Sequence, residues 1–185
     1  MMRRFKRAGF LDMGLATKLL IIIVILFFAR VLFAHFYNPS VYSGPYYKIK
    51  IPEGWEKKEK GEEVMFLSPE KEEYTGAPQA IFSIYGYKSK GALFEEDFFP
   101  EVLDELANTP GKLIDSGDIG ITEGVNGKYT LFETKDPTYV ILTIYIIDEF
   151  NRLTKLQYLA KPEYHNAYLK AFYDFKGELK IKGFF

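Results

Sequence analysis

A chain that performs acid–base or nucleophilic chemistry must supply a histidine, a thiol or an opposed pair of carboxylates, and this one is sparing with all three. It contains two histidines and no cysteine. The lack of cysteine excludes disulfides, thiolate metal sites, a Cys nucleophile and a lipidated Cys. His35 falls in an apolar N-terminal run, so His165 alone would have to carry any histidine metal centre or Ser-His-Asp triad. It stands beside Tyr164 in a stretch that reads as a helix, and a surface position without a ligand or base role is expected. Asp115-Ser116-Gly117-Asp118 has the opening of a calcium loop but lacks the EF-hand spacing after it, and reads as a plain turn. Gly117, Gly120 and Gly124 lack the Gly-Lys-Ser/Thr ending and the following helix of a phosphate loop, and mark a strand bulge or hairpin instead. Glu95, Glu96, Asp97, Glu101, Asp104 and Glu105 crowd one segment without inward periodicity, as a solvated face does. A two-carboxylate hydrolase needs its pair facing across a cleft. The expectation is no enzyme, with no catalytic, cofactor-binding or metal-ligating residue assigned and no cofactor; hydrolysis remains a remote alternative.

The elements around these residues read mostly as strands. Ile49 and Ile51 alternate with Lys48 and Lys50 in a half-buried strand over Tyr47–Ile51, stopped by Pro52 and Gly54. Glu56 to Glu63 reads as a charged, solvated hairpin tip. Val64–Leu67 and Ala80–Tyr87 are further strands, parted by a loop with Pro69, Gly76 and Pro78. Phe94, Phe98, Phe99, Val102, Leu103 and Leu106 recur at helical spacing, with Pro100 in the first turn or at a bend. After Pro110-Gly111, strands at Lys112–Ile121, Lys128–Thr134, Thr138–Ile147 and Arg152–Ala160 form an antiparallel meander, with turn chemistry at Asn126-Gly127 and Asp148–Asn151. Pro162 opens a last helix that carries Tyr164, Tyr168, Phe172 and Phe175 on one side; Gly177 stops it, and Leu179–Phe184 returns as a strand. The class is α+β, with helices packed on an antiparallel sheet, and residues 46–185 form one domain.

Ahead of that domain lies a basic, apolar segment. Leu19–Ala29 is uninterrupted, and its continuation to Tyr37, with Arg30 and His35 as exceptions, gives a stretch of about twenty residues, enough to cross a bilayer core. Arg30 can snorkel to the interface, where His35 and Tyr37 are also at home. The nearest signal-peptidase site, Val41-Tyr42-Ser43, is mediocre, so an uncleaved signal anchor is favoured over a cleaved signal peptide. Arg3, Arg4, Lys6, Arg7 and Lys18 precede the run, and the positive-inside rule keeps residues 1–18 cytoplasmic. Residues 19–37 are then the transmembrane helix, 38–45 a linker, and 46–185 an extracytoplasmic domain at the cell membrane. Residues 1–37 hold six Lys/Arg and one Asp, which leaves the rest six units negative although the whole chain carries only −1. Such a field repels a phosphate backbone, so nucleic acid is not a partner.

At Pro52-Glu53-Gly54-Trp55 the chain resembles the PsbP-like domains and their bacterial DcrB-like relatives. The order of parts is similar too: Val64-Met65-Phe66 matches a Val-x-Phe strand, Gly127-Lys128-Tyr129 a Gly-x-Tyr strand opening, and Phe172 to Phe175 a Phe-rich closing helix. The resemblance covers residues 46–182. It implies an α/β/α sandwich without enzymatic activity that works at a membrane complex, or on a bound molecule, in an extracytoplasmic space. Lipoprotein members use a lipobox Cys that this chain lacks, and a transmembrane helix would supply the tether instead.

Two functions follow as expectations. One is docking to a protein partner in a membrane complex, which needs an exposed aromatic patch with a polar rim. The alternative is carriage of a small apolar ligand, which needs an enclosed apolar cavity. Fourteen Tyr and seventeen Phe could furnish either. Docking is preferred, because a short membrane tether raises the effective concentration of domain and neighbour.

Overall fold

The computed structural model describes residues 22–24, 40–89, 95–122 and 124–183. The chain divides into two units, Met1–Pro39 and Ser40–Phe185. In the first, Ile22–Val24 are helical and exposed. The rest of the expected transmembrane helix at 19–37 lies outside the described residues, as does Phe94. Among the described residues no helix is long and apolar enough to cross a membrane.

In the second unit the alternating runs become strands. β1 (Val41–Ser43), β2 (Tyr47–Lys50), β3 (Glu56–Lys60), β4 (Glu63–Leu67) and β5 (Ala80–Lys88) precede helix α1 (Glu95–Ala107). β6 (Gly111–Thr122), β7 (Val125–Thr134), β8 (Val140–Ile147) and β9 (Arg152–Ala160) follow, then helix α2 (Pro162–Gly177) and β10 (Lys180–Ile181). Seven strands form an antiparallel sheet in the order β3-β4-β5-β9-β8-β7-β6, and β1-β2-β10 form a second sheet of three. The α+β class and the antiparallel pairing agree with the sequence reading; the single sheet does not. β2 and the C-terminal strand pair with each other, and Val41–Ser43, within the expected linker, become the outer strand of the small sheet.

The pleat of the large sheet sorts its residues to two faces. On β8, Leu142, Ile144 and Ile146 join the main core, together with Tyr47 and Ile49 of β2, Phe172 and Phe175 of α2, and Ile181 of β10. Tyr145 points the other way and meets α1, whose Phe98 and Phe99 rings approach it edge-on at 5.7 and 6.4 Å. At the centre of the main core, the Phe82 ring lies 4.1 Å from Trp55, 5.2 Å from Phe175, 5.4 Å from Phe172 and 5.7 Å from Tyr158. Trp55, turned in by the corner at Gly54 (φ 77), closes the rim of that stack.

Two local expectations change. Glu56–Lys60 is strand β3, so the charged tip shrinks to the turn at Gly61-Glu62. Asn126-Gly127 is not the hairpin turn: Thr122 pairs with Val125, and the reversal falls at Gly124 (φ 76). Gly127 instead permits close strand approach, since a Cβ there would stand 2.5 Å from the Tyr145 carbonyl oxygen. The turn at Asp148–Asn151 is where the sequence put it, with Asn151 at φ 56. Asp148 Oδ1 accepts from the backbone N–H groups of Phe150 (2.9 Å) and Arg152 (3.1 Å), while Oδ2 accepts from Arg152 Nε. The Arg152 guanidinium also donates to the Lys182 carbonyl and lies over the rings of Phe150 (4.8 Å) and Tyr46 (5.4 Å), tying the turn to the small sheet.

Candidate functional site

Helix α2 is fixed on the sheet by Phe172 and Phe175, and Pro162 sets its first turn. At its start, the buried Glu72 carboxylate accepts from Lys161 Nζ and Thr75 Oγ1, both at 2.7 Å. The lysine's hydrogen bond holds the Glu72 carboxyl below its ordinary range. With the helix so placed, His165, Leu169 and Tyr173, four residues apart, form a stripe facing β6 and β7. Between that stripe and the strands lies a cleft of about 240 Å³, open to solvent, with Ile119, Leu131 and Leu142 on its sheet side and Asp115 and Tyr129 completing the wall.

A β-bulge brings Asp115 there. Leu113 pairs with Phe132 but Asp115 pairs with Leu131, so Ile114 is the extra residue. Without it, Asp115 would share the face of Leu113; the one-residue shift turns it toward α2. The segment expected as a plain turn is thus the middle of a strand, and its two carboxylates leave by opposite faces. Asp118 pairs with Lys128 on the α1 side, where Lys128 also reaches Glu95 at 3.5 Å. The two carboxylates cannot share a cation. Among the described residues no group of three His, Asp or Glu side chains is placed to hold a metal ion. Glu96, Asp97, Glu101, Asp104 and Glu105 are exposed, as expected of a solvated face. Gly120 borders the second register shift of β6 and Gly124 lies in the hairpin, as expected, whereas Gly117 pairs regularly with Tyr129 and marks no bulge.

His165 is not the surface residue that the sequence suggested. Its ring stacks on Tyr158 with centroids 5.4 Å apart, its Nδ1 is buried without a hydrogen-bond partner, and burial lowers its pKa. Although Asp115 lines the same cleft, its Oδ2 accepts from the Tyr129 hydroxyl at 2.6 Å and its Oδ1 from the backbone N–H of Ser116 at 2.9 Å. That bond to Asp115 is the main reason the Tyr129 pKa is raised. The histidine therefore lacks the orienting carboxylate that a triad requires. What the cleft offers is binding chemistry: apolar walls, a neutral imidazole, a carboxylate and a rim tyrosine, Tyr173, that is 43% exposed.

A second cleft, of about 190 Å³, lies under α1 between Val102, Leu106, Phe132 and Ile141. Its floor is a hydroxyl–amide row in which Gln157 Nε2 donates to Thr143 Oγ1 at 3.1 Å. Leu131, Leu169 and Tyr173 were not singled out from the sequence, and Tyr129 only as part of a Gly-x-Tyr strand opening. The i, i+4, i+8 spacing of His165, Leu169 and Tyr173 was the available signal for the helix side; the bulge left none.

The buried histidine gives a pH prediction. The folded state disfavours imidazolium, so as pH falls through the unfolded value of about 6.5 the unfolded chain takes up the proton first. The stabilisation is complete above that pH and diminishes below it, down to the depressed folded pKa. Urea midpoints of the native protein should rise from pH 5 to pH 7 more steeply than those of His165→Phe; equal slopes would place the imidazole in water.

No protein-family model matches the chain, and no curated protein matches it. Solved structures do. PA94, a Pseudomonas aeruginosa protein of unknown function, has a TM-score of 0.54 at 16% identity over 74% of this chain and 92% of that one. LpqN, involved in cell envelope biogenesis of Mycobacterium tuberculosis, has a TM-score of 0.54 at 14% identity over 76% and 87%. CyanoP, the cyanobacterial PsbP of Synechocystis sp. PCC 6803, has a TM-score of 0.50 at 13% identity over 76% and 91%. Identities this low speak for the fold alone. The chain is thus similar in fold to these proteins, the cyanobacterial PsbP among them, and the Trp55 corner that carried the sequence resemblance is seated on the Phe82 stack.

Proposed function

We propose that the chain is a non-catalytic accessory protein held at the cell membrane by residues 19–37, whose second unit faces the extracytoplasmic space and docks onto a protein of a membrane complex. The observation that carries this reading is the contrast between the two edges of the large sheet. β3 presents Glu56-Lys57-Lys58-Glu59-Lys60, all exposed, with ion pairs Lys57–Glu59 (2.7 Å) and Lys58–Glu56 (3.4 Å) along the strand. Such a charged edge resists pairing with another chain. β6, at the opposite edge, exposes Leu113 and Ile114 (37% and 46%) beside its bulge and is twelve residues long. An edge of that kind suits β-strand addition by a partner.

Envelope biogenesis, the role given for LpqN, is consistent with an envelope-associated accessory domain of this fold. The carrier reading has less support. The rings that could have lined an apolar cavity are spent on one another around Phe82, and the two clefts described above open to solvent.

Amine crosslinking with mass spectrometry, on native membranes carrying the tagged full-length protein and an anchor-only control, tests the proposal. Crosslinks to one membrane complex should concentrate at Lys112 of β6 and be sparse at Lys57 and Lys58 of β3, and Ile114→Glu should reduce them severalfold. An even spread, or none from the intact domain, would remove the docking reading.

A further inference from the structure

The cleft between α2 and β6–β7 has chemistry that strand addition does not use. Its carboxylate, Asp115, is exposed, accepts from the Tyr129 hydroxyl at 2.6 Å, and forms no ion pair with a lysine, arginine or histidine among the described residues. The nearby Lys176, 5.6 Å from the Tyr173 ring, donates to the Gly120 carbonyl at 2.6 Å. Tyr173 stands half out at the mouth with the Lys176 ammonium over its ring, and adds aromatic surface to the wall. Leu131, Leu142 and Leu169 give the interior an apolar surface. His165, stacked on Tyr158, adds a wall whose Nδ1 is buried without a partner. The volume of about 240 Å³ would hold about eight waters' worth of ligand.

Carboxylate, rim aromatic and apolar interior together select one kind of guest. A carboxylic acid would meet Asp115 as a like charge, and a plain hydrocarbon would leave the carboxylate–tyrosine pair covered without a new partner. We propose that this cleft binds a small primary amine with an apolar body of arylalkylamine size. The ammonium sits against Asp115, and the apolar body lies against the leucines and the Tyr173 ring. This site is independent of the docking edge: Asp115 faces α2, whereas Leu113 and Ile114 are exposed at the strand edge, so either assignment can fail without the other.

The test titrates the full-length protein, in lipid nanodiscs, with 2-phenylethylamine and reads backbone amide shifts by NMR. Saturable shifts should appear at Asp115, Tyr129, Leu169 and Tyr173, with a Kd on the order of 1 mM for so small a ligand in an open cleft. 3-Phenylpropionate, of similar shape and opposite charge, should produce none. Asp115→Asn, an exposed and nearly isosteric change, should weaken the amine about tenfold, the loss expected for a hydrogen bond to a charged group. Leu169→Trp should fill the cleft and abolish the shifts while leaving the spectrum folded. Absence of saturable shifts in the cleft, equal binding of amine and carboxylate, or an unchanged Kd in Asp115→Asn would each overturn the assignment.

Discussion

Phe82→Ala should cost the domain about 4 kcal/mol, at the upper end of what a single core truncation does. The phenyl ring is completely buried and touches four other rings, from Trp55 at the rim to Phe172 and Phe175 on α2. Removing it takes away both its transfer free energy and the centre of a stack whose members come from different elements, so no single neighbour can swing into the gap. Since domains of this size are stable by only about 5–15 kcal/mol, the variant should unfold at clearly lower urea and lose helix α2 from the sheet early. Phe82→Leu should lose less than half as much, because it keeps most of the volume and forfeits mainly the edge-to-face geometry. Equal losses in the two variants would mean that ring geometry rather than volume holds the core.

The second large effect lies at the β8–β9 turn. Asp148→Ala should cost about 3 kcal/mol, the scale for breaking a buried ion pair from one side. The Asp148 side chain is 2% exposed and that of Arg152 is 14% exposed, so neither charge is well solvated once the other is gone. The change also strips the backbone N–H groups of Phe150 and Arg152 of their acceptor. Arg152→Met should be costly too, since it leaves the buried carboxylate without its cation. In a urea double-mutant cycle the pair should lose markedly less than the sum of the single changes. Additive losses would show that the two side chains act separately.

Legibility in the sequence followed the strength of local pattern. β5, β8, β9 and α2 were readable because their apolar residues keep period 2 or 3.6 over whole elements, and burial of one face enforces that pattern. β3 was unreadable as a strand: Glu56–Lys60 has no buried face, so nothing marks it except its pairing with β4. Asn126-Gly127 is the strongest short hairpin signal in the chain, yet strand register overrode it, because Gly127 is needed where β7 passes close to the Tyr145 carbonyl. β1 was hidden in a segment whose Pro and Gly suggested a spacer. At the candidate site, His165 and Asp115 were both noticed, but separately, as a surface residue and a turn residue. Their convergence depends on a bulge at Ile114 and on the docking angle of α2, and both are decided by tertiary contacts rather than by residues within a few positions.

The small sheet has a mechanical consequence. β2 is its middle strand, with the chain's entry into the domain on one side as β1 and its exit on the other as β10. β1 pairs with β2 at only three positions, Val41 with Lys50, Tyr42 with Ile49 and Ser43 with Lys48, and one further bond runs from Ile51 N–H to the Ser40 carbonyl. On the docking proposal, with the chain held through residues 19–37 and the domain at β6, tension enters at Ser40 and peels these rungs in sequence, while β2 remains clamped by β10 and the core. A six-residue stretch, Ser40 to Pro45, could then pay out roughly 20 Å of extended chain, with the large sheet still folded. On that proposal the three rungs act as a fuse that gives way under load before β6 is disturbed.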